Sequence, residues 1–107
     1  MKTMPVGTER VNAEGYIDIK VVDPNTWQGK HIKIWEKHHG AIPKGHAVIF
    51  GDKNNRNFDI SNLILVSRQQ LLVLNRKKMI KSDADLTRLG LVLADVFIKI
   101  YEKSKGG

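Results

Sequence analysis

Polar and apolar residues alternate from Tyr16 to Val22, with Ile17, Ile19 and Val21 on one side and Tyr16, Asp18 and Lys20 on the other. That is the period of a strand. Asn12-Ala13-Glu14-Gly15 ahead of it reads as a turn, so residues 1–28 are expected to form a β-hairpin. Asp23-Pro24-Asn25-Thr26 ends the strand, because proline cannot donate to a ladder and Asx side chains favour turns. From Lys30 to His39 the period becomes helical. Ile32 and Trp35 turn inward, Lys33 and Lys37 share one face, and Gly40 with Pro43 supplies the stop. His46 to Phe50 is a short apolar strand, and a polar loop from Gly51 to Asn62 leads to a second strand, Leu63 to Val66.

Ser67-Arg68-Gln69-Gln70 is a capping box, Leu71, Leu72 and Leu74 continue the helix, and Arg76, Lys77 and Lys78 close it where cations suit the negative end. The last long element starts between Ser82 and Thr87 and runs to about Lys103. Leu86, Leu89, Leu93, Val96 or Phe97, and Ile100 recur at helical spacing, a face expected to pack on the domain or, alternatively, across a dimer. Gly90 within it costs roughly 1 kcal/mol relative to Ala. The pattern predicts an α+β chain: hairpin, short helix, a β-β-α hook and a long C-terminal helix.

A length of 107 residues suits one domain, divided into the hairpin (1–28), the hook segment (29–81) and the last helix (82–107). The absence of cysteine excludes a disulfide scaffold, a Cys-type zinc finger and a thiol nucleophile. No apolar run approaches a membrane span, and the first residues lack a signal-peptide core.

Charge adds a location. The net charge is +7, yet residues 29–81 alone hold eleven basic groups against Glu36, Asp52 and Asp59, a net of +8. Residues 1–28 net −1 and residues 82–107 net zero. A local excess of this kind points to a phosphate-bearing partner, a solubilising face being the blander alternative. The aromatics are scattered among the cations rather than interleaved with them. Trp35, Phe50 and Phe97 are therefore expected in the core, and Trp27 is the one suspected of surface contact.

The segment Phe50 to Leu63 carries four Asn and two Asp, whose side chains, Asn57 among them, can hold a long loop in one shape. Its wording resembles the HNH endonuclease family, specifically the small phage-encoded proteins of ββα-metal fold. The matching phrases are Gly7-Thr8-Glu9-Arg10, Gly15-Tyr16-Ile17, His31, Trp35-Glu36-Lys37-His38-His39-Gly40 and Ile42-Pro43-Lys44-Gly45-His46. They continue through Asp52 to Asn57, Asn62-Leu63, Val66-Ser67-Arg68 and Asp85-Leu86-Thr87, from Pro5 to about Ile100 in all. Longer family members carry an additional N-terminal segment, so the chain corresponds either to a short natural version or to the remainder of a longer one.

The resemblance implies double-stranded DNA as partner, Mg²⁺ or another divalent metal as cofactor, and the cytoplasm of a bacterial host as location. It also implies a strand-end His as general base, a metal-binding neighbour, a middle Asn that braces the loop, and a His or Asn on the helix. Aligned on Asp52 and Asn62-Leu63, the strand end here is Ile49-Phe50, the helix position falls at Gln70 or Leu71 with Asn75 one turn on, and Lys53 stands where Gly is usual. Only Asn62 keeps its family identity, and Phe50 can neither take a proton nor bind a metal.

Three functions follow. The first is a DNA-binding HNH-like protein that has lost cleavage, with Lys33, Lys37, Lys53, Arg56, Arg68, Arg76, Lys77 and Lys78 on phosphates. The second is a metal-dependent nicking enzyme with a displaced base, His46 or His39, and Asp52 on the metal. The third is a protein-binding modulator that presents its basic face to an acidic host or phage factor.

Overall fold

A computed structural model describes residues 4–105 of the chain. Among these residues two small antiparallel sheets and three α-helices follow one another in a mixed α+β arrangement. The first sheet orders β1 (Glu9–Val11), β2 (Ile17–Val22) and β3 (Thr26–Gly29) in sequence. The expected hairpin thus gains a third strand. Asp23-Pro24-Asn25 does end β2, but only as a tight turn, after which Lys20 pairs with Trp27 and Asp18 with Gly29.

Two side chains of this sheet are placed by contacts beyond their own strand. Lys20 is buried, not outward, because the N-terminal segment folds over it. Its ammonium donates to the Met4 carbonyl and forms an ion pair with Asp23 at 2.9 Å. A buried cation persists only with such partners. Trp27, suspected of surface contact, lies beneath the Arg10 guanidinium at 3.9 Å and donates its indole N–H to Asn25.

Helix α1 spans Lys30–His39, with Trp35 buried and Lys33 and Lys37 exposed on its outer side. Strand β4 (His46–Phe50) pairs with β5 (Leu63–Ser67), putting His46 opposite Ser67 and Phe50 opposite Leu63. One core gathers Trp35, Val48, Phe50 and Leu63, with Phe58 and Ile60 against it. The hook closes with α2 (Arg68–Arg76), and both halves of the capping box form: Ser67 Oγ accepts from Gln70 N–H and Gln70 Oε1 from Ser67 N–H.

Helix α3 (Ala84–Lys105) packs on α2 through a second core of Ile64, Val66, Leu74 and Ala94. The side it buries is not the expected one. Thr87 and Ala94 are fully enclosed, whereas Leu86, Leu89, Leu93, Val96, Phe97 and Ile100 are 41–60% exposed. Gly90 explains part of this choice. A Cβ there would lie 2.8 Å from the Met79 Cβ and 2.9 Å from its carbonyl oxygen, so glycine is what allows the α2–α3 connection to cross so close. No helix among the described residues is long and apolar enough to cross a membrane.

Candidate functional site

The loop between β4 and β5 is organised around one carboxylate. Asp52 Oδ1 accepts from Asn54 N–H and from Asn62 Nδ2, each at 2.9 Å, and Oδ2 accepts from Asn57 Nδ2 at 2.8 Å. Asn62, itself buried, answers by accepting from Asp52 N–H at 2.9 Å and donating to the Asn57 carbonyl at 3.0 Å. The hydrogen bond from Asn57, joined by those from Asn54 and Asn62, holds the Asp52 carboxyl below the usual aspartate range. Asp59 caps the short 3₁₀ turn Ile60–Asn62, and its own carboxyl is lowered by Ser61 in the same way. Lys53 has φ +66°, the left-handed region glycine favours.

The loop and the first sheet enclose a cleft of about 660 Å³, lined among others by Glu14, Asp18, His31, Phe50, Lys53 and Asn75. Phe50 forms one wall. Its ring stacks with Tyr16 at 6.0 Å, lies 4.8 Å from the His31 ring and meets Phe58 edge-on at 5.7 Å. His31, at the head of α1, packs on Phe50 and makes no cap hydrogen bond there. Burial lowers its pKa from 6.5 and Asp18 pulls the other way, while Nδ1 is buried without a partner among the described residues.

The sequence-derived candidates lie on several elements. His46 is exposed at the start of β4, with Nδ1 3.1 Å from the Lys44 carbonyl. It stands at the opposite end of that strand from Phe50, about 13 Å away at the rise of an extended chain. His39 lies exposed at the end of α1 against Trp35, and neither it nor His46 lines the cleft. Of the cations, Lys53 lines the cleft, Arg68 is exposed in the first turn of α2, and Arg76, Lys77 and Lys78 are exposed at its far end.

Two of the cations are already engaged. Arg56 Nη1 donates to the Gly15 carbonyl at 2.8 Å, tying the loop to the β1–β2 turn, and Lys77 Nζ rests 5.1 Å over the Phe97 ring. At the helix position of the hook, Gln70 is spent on the capping box and on Asp95, while Leu71 and Asn75 reach the cleft. Glu14 and Asp18 escaped sequence reasoning as cleft residues, because nothing local shows that the β1–β2 turn folds against the hook.

Residues 28–73 match the family model for HNH endonuclease. Over this stretch the chain is similar to the HNH endonuclease family. The match runs from the end of β3 through the first turns of α2 and so contains the braced loop and Phe50. No curated protein and no solved structure matches the chain. The similarity suggests a nuclease-like, DNA-related function, and HNH endonucleases generally use a divalent metal.

The side chains of this hook do not fit such an ion. Asp52 already accepts three side-chain and main-chain hydrogen bonds, and the strand-end position holds a phenyl ring. Among the described residues, no three His, Asp or Glu side chains converge to hold a metal.

Proposed function

We propose that this chain is a phage or mobile-element HNH-like protein, one domain over 1–107, that binds double-stranded DNA and has lost strand cleavage. The observation that carries the reading is a coincidence of position. The +8 segment, residues 29–81, contains all but the first residue of the HNH match, residues 28–73, and the matched stretch itself nets +4. Phosphate contact is assigned to Lys33, Lys37, Lys53, Arg68, Arg76 and Lys78, acting by counterion release rather than base reading. Arg56 and Lys77 contribute while holding their internal contacts. Loss of cleavage is supported by Phe50. In the family its place belongs to the base that activates water, and here it is sealed among Tyr16, His31 and Phe58. The expected setting is the cytoplasm of a bacterial host.

Binding and cleavage are tested apart. Anisotropy of a labelled duplex across a salt series is expected to show affinity falling steeply with salt, and Lys53→Ala or Arg68→Ala to reduce the slope by about 1 each. A flat salt response rejects DNA as the partner and favours an acidic protein. Plasmid nicking with Mg²⁺ or Mn²⁺ is expected to stay at background. Metal-dependent nicking that disappears in His46→Ala or His39→Ala would instead establish the displaced-base enzyme.

A further inference from the structure

Five aliphatic side chains on the outer face of α3, Leu86, Leu89, Leu93, Val96 and Ile100, are 46–60% exposed. Their spacing alternates three and four residues over the described length of the helix. That is the seam of a coiled coil, narrower than the stripe of a helix lying on a globule. The opposite face, through Thr87, Leu91 and Ala94, already packs on α2 and its connection. The seam is therefore a second apolar face.

We propose that α3 pairs with α3 of a second copy of this chain, in antiparallel orientation. Size and charge support that occupant. Ten half-exposed aliphatic side chains, five from each copy, remove on the order of 1,000 Å² from water, enough for a specific contact. Asp85, Val92 and Lys99 recur every seven residues along one flank of the seam, and all three are exposed. In an antiparallel pair this flank faces itself, so Asp85 of each copy approaches Lys99 of the other, with Val92 against Val92 between them. A parallel pair would set the same flank against Gly90 and Phe97, leaving Asp85 unmatched. Charges beside the seam are what select orientation. Among the described residues of its own chain Asp85 has only Arg88 as an ion-pair partner, at 3.6 Å and exposed to solvent, which leaves it available.

Sedimentation of the full chain at roughly 100 µM is expected to show a dimer. Leu93→Glu is expected to give a monomer with unchanged circular dichroism and, at dilutions where the parent chain is itself dissociated, unchanged melting, since Leu93 faces outward. Asp85→Lys and Lys99→Asp are each expected to weaken dimerisation about three- to tenfold, and the two together to restore it. A chain that stays monomeric overturns the proposal and leaves the seam to another partner. So does a dimer that tolerates Leu93→Glu. A doubly reversed variant as weak as the single ones overturns the antiparallel orientation.

Discussion

The His31 imidazole lies 4.8 Å from the Phe50 ring, on the wall of the cleft where the hook meets the first sheet. Burial there disfavours the charged ring and lowers its pKa from 6.5, with Asp18 opposing. In the unfolded chain the imidazole protonates near 6.5, whereas in the fold it stays neutral to lower pH. The unfolded state thus holds more protons between the two values. This contribution to stability is complete above 6.5 and lost as pH falls through that point towards the folded pKa. Thermal melts between pH 7.5 and 5.5 are expected to fall for the parent chain and to flatten in His31→Leu. Proton NMR should place the His31 midpoint below 6.5, lower still in Asp18→Asn.

Asn62 and Asp52 exchange two hydrogen bonds across ten residues of loop. Asn62→Ala leaves the Asp52 N–H and one carboxylate oxygen short of a partner, and is expected to cost about 2–3 kcal/mol in urea denaturation. The lowered Asp52 pKa adds stability that is present above the unfolded value near 3.8 and lost as pH falls through the folded one. Asp52→Asn should accordingly flatten the acid limb of the stability curve.

Lys53 holds a left-handed backbone conformation at φ +66°. Lys53→Gly is expected to stabilise the fold by about 1 kcal/mol or slightly less, relief of steric strain being partly offset by the freedom glycine gains on unfolding. The same change should weaken duplex binding, because it also removes a cation. Opposite signs in the two measurements would separate backbone geometry from charge.

Gly90→Ala sets helix propensity against packing. Propensity alone expects a gain of roughly 1 kcal/mol. The new methyl would meet Met79 at 2.8 Å and its carbonyl at 2.9 Å, and overpacking of this kind costs about 1–3 kcal/mol. A net loss in chemical denaturation is expected, and a gain would show that the α2–α3 connection yields easily.

Much of the fold was legible in the chain. The spans of α1 and β4 are those the periodicity predicts, and the capping box at Ser67 and Gln70 forms as read. Local signals suffice there, since capping and alternation act over a few residues. The Asn-rich loop was legible as a braced loop, but not its centre. Sequence reasoning offered Asp52 to a metal, while three hydrogen bonds from Asn54, Asn57 and Asn62 converge on it.

Tertiary structure decided what meets what. Helical spacing shows which residues of α3 share a face, but two faces were available. The close approach of Met79 to Gly90 selected the one carrying Thr87 and Ala94 and left the leucine seam outside. Alternation in β2 put Lys20 outward until the N-terminal segment covered it, and a third strand formed because Trp27 found Lys20 across a turn that local composition marks only as an end. Glu14 and Asp18 joined His31 at the cleft through contacts between distant parts of the chain. Periodicity acts within one element; the partner that covers a face is set by the whole packed chain.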